Sequence, residues 1–264
     1  MARRTLVFVH AHPDDEALLT AGTMARAIEE GHRVVLITAT DGAAGLTDAA
    51  TSTALGSVRS QELLDACAAI GVTEVITLGY ADSGLHAEVE GGFAHAPAFQ
   101  IARRIADICN DVDADILIGY DPSGGYGHPD HLQVHRTVRT SLALCHRVPH
   151  LFEATLPREP IVRAVKAAEA LSLTPPDFDA SEFDRAWTPK ADITHRVNVR
   201  DYLSIKDAAL RAHASQATAD GSIRTLAVLT RLPRLLQAPI LGTEYFVHVP
   251  WKPRTTRSTA SLAS

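Results

Sequence analysis

What this 264-residue chain lacks narrows its class first. Cysteine occurs three times, at Cys67, Cys109 and Cys145, an odd number at wide spacing inside apolar helical patterns. That composition argues against a disulfide framework and for reduced core residues, as in a cytosolic protein. No block of Lys and Arg forms a stripe for phosphates, and acidic residues outnumber basic ones, 31 to 25, for a formal charge of −6. Nucleic acid is therefore not expected as a partner. No run approaches the ~20 apolar residues of a membrane span. Arg3 and Arg4 precede only five residues, Thr5 to Val9, before His10, which is short of the apolar core of about 7–15 residues in a secretory signal. A soluble, cytoplasmic protein without a membrane partner is the expectation. There is no internal repeat and no heptad pattern, so the sequence leaves a homo-oligomer open.

What is present suits one large α/β domain, because 46% of the residues are hydrophobic and can bury a full core. Apolar, β-rich runs at Leu6–Val9, Val34–Thr38, Glu74–Thr77 and Asp115–Ile118 alternate with helical periods at Ser57–Ile70 and Ala98–Asn110. Ile101, Ile105 and Ile108 form one helical stripe; Leu63, Leu64, Cys67 and Ile70 form another. Strands separated by helices imply parallel pairing with right-handed crossovers, hence a doubly wound, mainly parallel, Rossmann-like sheet. After about residue 150 the pattern loosens. Leu173–Trp187 reads as a surface loop, Ile193–Val199 as a strand, and a helix starts near Asp201. The expected organisation is a single domain over 1–251 with a loop-rich C-terminal third, followed by a disordered tail over 252–264.

Two clusters carry chemistry. His12-Pro13-Asp14-Asp15-Glu16 follows the first strand, and His128-Pro129-Asp130-His131 follows Ile116-Leu117-Ile118 and a glycine-rich loop. Both sit where α/β proteins place their sites, on loops leaving the carboxyl ends of strands. A catalytic zinc site commonly uses three protein ligands and keeps one position open, a count that His12, Asp15 and His131 satisfy. Adjacent side chains diverge, so one of Asp14 and Asp15 can hold a metal while the other faces its water. Pro129 suits the first turn of a helix, which makes His128 the cap and puts His131 at the third helical position. His and carboxylate donors accept Zn²⁺, Fe²⁺ or Co²⁺. The same three residues also match the facial triad of a two-histidine, one-carboxylate iron oxygenase, a second reading that leaves Asp14 without a role.

These residues resemble the PIG-L/LmbE-like N-deacetylases. The resemblance rests on His10–Leu18 and Gly124–His131 and extends through Asp41–Gly42, Arg59–Glu62 and Leu78–Leu85, then thinly to Lys206–Gln216 and Glu244–Tyr245. The glycine-tyrosine form of the second motif looks closest to actinobacterial mycothiol-pathway enzymes, which act on glucosaminyl-inositol compounds. The resemblance implies a zinc-dependent hydrolase that removes acetyl from an N-acetylglucosamine-type sugar, a small-molecule N-acylated substrate. Deacetylation of an antibiotic precursor and amidase action on mycothiol S-conjugates are the alternatives within the family. Matched by position, His12, Asp15 and His131 correspond to its metal ligands and Asp14 to its general base. His128 corresponds to a histidine that stabilises the tetrahedral intermediate or helps the amine leave, and Asp130 to its orienting partner. Tyr126 corresponds to a donor to the carbonyl oxygen; among substrate-binding positions, Arg59 corresponds to an arginine close to the base carboxylate and Asp82 to a position near the sugar hydroxyls.

Overall fold

The computed structural model describes residues 2–42, 52–87, 89–172, 179–215 and 234–251. In chain order the elements are β1 (Thr5–His10), α1 (Asp15–Leu19), α2 (Ala21–Glu29), β2 (Arg33–Thr40), α3 (Ser52–Ile70), β3 (Glu74–Tyr80), α4 (Ala98–Asp111) and β4 (Ile116–Tyr120). There follow the kinked turn α5 (Gly124–Gly127), α6 (Pro129–Ser141), β5 (His150–Thr155), α7 (Arg158–Ala170), β6 (His195–Asn198), α8 (Leu203–Ala212), α9 (Arg234–Leu241) and β7 (Thr243–Val249). The strands form one sheet in the order β3-β2-β1-β4-β5-β7-β6. Among the described strands only β7 runs against the rest, antiparallel to both β5 and β6.

Strand parity divides the core. Leu6 and Phe8 of β1 join Met24, Leu36, Cys67, Leu210 and Phe246 on one face. Val7 and Val9 join Ile37, Ile101, Ile105, Leu117, Val134 and Leu151 on the other. A parallel sheet covered on both faces needs such continuous apolar runs, which is why β1, β2 and β4 were legible, whereas β3, at the sheet edge, is only partly buried. The α3 stripe needs one correction. Leu63, Cys67 and Ile70 are buried, but Leu64 is 51% exposed, because one residue further on turns the helix about 100° away.

The C-terminal third holds more regular structure than its pattern suggests. Helix α7 has no fully buried residue, so it leaves no apolar stripe to read. The described part of Leu173–Trp187 contains a 3₁₀ turn, Ala180–Arg185, while 173–178 and the tail from Lys252 lie outside the described residues. Strand β7 is tied to the other end of the chain. Glu244 accepts the N–H groups of Gly22 at 3.0 Å and Thr23 at 2.8 Å, in the first turn of α2, and pairs with the buried ammonium of Lys206 on α8. The carboxylate thereby satisfies helix-end donors that would otherwise be orphaned. No described helix is long and apolar enough to cross a membrane.

Strand order places the site. The chain runs outward from β1 through β2 and β3, then returns to start β4 on the other flank of β1. The crevice between the carboxyl ends of β1 and β4 is the switch point at which doubly wound folds bind ligands. Both chemical clusters leave from those two strands.

Candidate active site

The loop after β1 turns sharply at Asp14, which caps α1 with φ 119° and ψ −27°. That left-handed conformation is uncommon for a residue with a Cβ. The loop after β4 is organised by buried Asp121, whose Oδ1 accepts from Ser123 N and Gly125 N, both at 3.0 Å. Gly125 has φ 66°, and a Cβ there would stand 2.7 Å from the Trp187 ring. This position therefore needs glycine twice over, for dihedral and for space. Beyond the loop, Pro129 opens α6 and His128 caps it, its Nδ1 accepting the Asp130 N–H at 3.2 Å.

Three donor atoms converge in the crevice. Asp15 Oδ2 lies 3.3 Å from His12 Nδ1 and 3.4 Å from His131 Nε2, and the two ring nitrogens are 3.3 Å apart. A tetrahedral ion with bonds of about 2.0–2.1 Å separates its ligands by about 3.3–3.4 Å, so the triangle has the dimensions of a metal site. The opposite ring nitrogens are anchored. His12 Nε2 lies 3.1 Å from Asp130 Oδ2, and His131 Nδ1 lies 3.2 Å from Gly124 O. Such contacts fix the tautomer that turns a lone pair inward. His128 brings a ring nitrogen into a wider group with His12 and His131, all within 4.8 Å of one another.

Charge in the crevice favours a cation. Burial works against a protonated His12, but hydrogen bonds to Asp130 and Asp15 and the charges of Asp15 and Asp82 outweigh it, holding its pKa at about 10. Burial also works against ionised Asp15, yet the His131 charge and hydrogen bonds from His12 and His131 keep it well below the usual carboxylate range. Asp14 behaves differently: burial lifts it to about 6, with Arg59 pulling the other way. Burial, reinforced by His12 and His131, pushes His128 down to about 3.

One expected residue, Asp130, meets a partner other than the one anticipated. The Asp130 carboxylate faces His12 and the Ser83 N–H, at 3.1 and 3.0 Å, while His128 takes only the Asp130 backbone N–H. Asp130 therefore orients His12, because the first turn of α6 points its side chain back toward the β1 loop. Arg59 is 3% exposed. Its guanidinium donates to the carbonyls of Gly42 and Pro13 and reaches Asp14 Oδ2 at 3.3 Å. Asp82 Oδ1 accepts the Gly84 N–H at 2.9 Å and stands 3.7 Å from His12 Nε2. Tyr126 is half-exposed, its ring centroid 5.4 Å from that of His131 and 6.0 Å from that of His128.

Tyr120 was not anticipated. Its hydroxyl donates to Asp15 Oδ2 at 2.6 Å and accepts from Ala11 N at 3.0 Å, while its ring stacks on His131 at 4.2 Å. A tyrosine closing an apolar strand looks like core. Its position two residues after the apolar run that ends at Ile118 was the available hint.

Fold and site together define a doubly wound α/β protein with a His/Asp centre, suited to a divalent ion, at its switch point. The family model described as GlcNAc-PI de-N-acetylase matches residues 7–142. The 1D-myo-inositol 2-acetamido-2-deoxy-alpha-D-glucopyranoside deacetylase of Acidothermus cellulolyticus is 38% identical over 263 residues, covering 92% of this chain and 88% of that protein. The chain belongs to the GlcNAc-PI de-N-acetylase family and is a metal-dependent hydrolase of an N-acetyl amide. Its fold is shared with the N,N'-diacetylchitobiose deacetylase of Pyrococcus horikoshii (TM-score 0.63, 19% identity, 94% of this chain and 84% of that one). It is shared equally with the 4-carboxy-2-hydroxymuconate hydratase of Pseudomonas putida (TM-score 0.62, 16% identity, 98% and 100%). Fold alone thus does not select the reaction. Family membership and the α/β sheet favour neither the iron-oxygenase reading nor the S-conjugate amidase.

Proposed function

We propose that this enzyme removes the acetyl group from a 2-acetamido-2-deoxyglucoside of inositol, with zinc as its metal. The observation that carries the reading is the triangle of His12 Nδ1, Asp15 Oδ2 and His131 Nε2, with edges of 3.3–3.4 Å, standing beside Asp14. The relative from Acidothermus cellulolyticus, named for that glucoside, supports the choice of substrate. His12, Asp15 and His131 would hold the ion. When bound, it supplies Lewis-acid polarisation of the amide carbonyl and a lowered pKa for water.

The chain's own groups do the rest. Asp14 takes the proton of the attacking water on its carboxylate and hands it to the departing nitrogen. A pKa near 6, set by burial, leaves Asp14 ionised at neutral pH yet more basic than a free carboxylate. His128 is neutral, and because Nδ1 accepts the Asp130 N–H its proton resides on Nε2. That N–H donates to the oxygen on which negative charge develops, and the Tyr126 hydroxyl provides a second donor. Asp130 keeps His12 Nδ1 directed inward, and Arg59 holds the Asp14 carboxylate. Asp82, at the rim beside His12, accepts from a sugar hydroxyl.

The test is kcat/KM for the acetamido-glucosyl-inositol, free N-acetylglucosamine and a bulkier N-acyl S-conjugate. The inositol glucoside should lead by at least about tenfold, the worth of one or two added polar contacts. Preference for either other compound overturns the substrate assignment.

A further inference from the structure

We propose that Glu16 and His213 form a buried clamp that positions Asp14, acting through its backbone rather than on substrate. The inference rests on the reading of Asp14 as the base. His213 follows the last turn of α8 and Glu16 lies in α1; both side chains are completely buried. His213 Nε2 lies 2.7 Å from Glu16 Oε1, and the other Glu16 oxygen accepts the Asp14 N–H at 2.9 Å. One carboxylate therefore joins a residue 197 positions away to the amide of the residue beside the metal triangle. Among the described residues the His213 ring makes one hydrogen bond, to Glu16, and its Nδ1 is buried without a partner.

The clamp acts where the backbone needs it. Asp14 sits at φ 119° and ψ −27°, a conformation that persists only when the surroundings over-determine it. Arg59 holds the carboxylate end of the residue and the preceding carbonyl of Pro13. Glu16 holds its N–H. With the second hold released, the Pro13–Asp14 peptide can relax toward ordinary φ and swing the carboxylate away from the metal-facing side. The segment bearing His213 is itself fixed by α3: Glu62 accepts from Ser215 N and Oγ, each at 2.7 Å. His213 thus faces Glu16 from α1, Asp14 from the loop after β1 and Glu62 from α3. Residues well beyond the matched segment 7–142 complete the site.

The experiment compares the zinc-loaded wild type with His213→Ala, His213→Gln and Glu16→Ala, reading Asp14 amide hydrogen exchange by NMR and then kcat, KM and zinc content. His213→Ala should speed Asp14 exchange at least about tenfold, the minimum expected for loosening a hydrogen bond to a charged group. It should lower kcat about 10–100-fold, as loss of an outer partner does, with KM and zinc content unchanged. Glu16→Ala should reproduce both effects. In His213→Gln the amide nitrogen can stand near the lost Nε2 and should restore both. Unchanged Asp14 exchange in His213→Ala and Glu16→Ala overturns the clamp, and so does a Gln variant as impaired as Ala, which would point to packing alone. A wild type that releases no acetate overturns the functional reading, and the exchange rates still decide the clamp.

Discussion

Tyr120→Phe isolates one oxygen atom that ties the Asp15 carboxylate to the backbone of the loop after β1. The substitution keeps the ring, hence the stack on His131 at 4.2 Å and 11°. It removes the donor to Asp15 Oδ2 at 2.6 Å and the acceptor for the Ala11 N–H at 3.0 Å. Tyr120 is 1% exposed and Ala11 fully buried, so water cannot replace the lost partner without opening the crevice. An orphaned buried N–H costs about 1–3 kcal/mol and a hydrogen bond to a charged group contributes about 1.5–3. Overlap between the two losses places the total near ~3 kcal/mol, a fall in Tm of roughly 6–12 °C for a chain of this size. Zinc affinity, read by competition with a chelator, should weaken about 10–100-fold as Asp15 loses its orientation. Affinity within about twofold of wild type, together with an unchanged Tm, would refute the assignment of this hydroxyl to the metal site.

Other perturbations test other parts of the account. Glu153, 3% exposed, has a pKa raised by burial from 4.5 to about 7. The folded state therefore holds a proton that the unfolded chain releases between pH 4.5 and 7, and stability falls as pH rises through that window. Glu153→Gln should be more stable than wild type at pH 8, by up to roughly 3 kcal/mol, and equal to it near pH 4 in denaturant titrations; an equal difference at both pH values contradicts the sign. Glu244→Ala should cost more than Lys206→Met. The first strands an ammonium and two α2 N–H groups, while the second leaves a carboxylate still bonded to Gly22 and Thr23. Breaking the pair costs about 3–5 kcal/mol, and chemical unfolding in the reverse order would count against the capping role. Gly125→Ala, at φ 66° and 2.7 Å from Trp187, should displace the Tyr126 loop and lower kcat about tenfold or more; wild-type kinetics would show that the loop tolerates a side chain there.

The sequence disclosed what is local. His12 to Asp15 and His128 to His131 follow apolar strands, and a parallel sheet buried on both faces makes those strands continuous in hydropathy. The cap at His128 could be read because proline marks the first turn of a helix. Contacts closed by the fold were not legible. Tyr120 reaches Asp15 across 105 residues and His213 reaches Glu16 across 197, and no spacing rule covers either pair. The resemblance paired Asp130 with His128, whereas helix geometry turns its carboxylate to His12 and gives His128 only its backbone N–H. In the C-terminal third, α7 lies half-exposed and β7 pairs antiparallel between β5 and β6. Neither arrangement produces a strong period.

The most direct measurement is acetate release from the acetamido-glucosyl-inositol by wild type and Asp14→Asn, with zinc content determined on the same samples. The account predicts one bound zinc in each protein and a fall in kcat of about 10²–10⁴ in the variant, the worth of a positioned base. Equal turnover by the variant with its metal in place would contradict the role given to Asp14, and zinc-loaded wild type that releases no acetate from any of the three test compounds would contradict the proposed reaction itself.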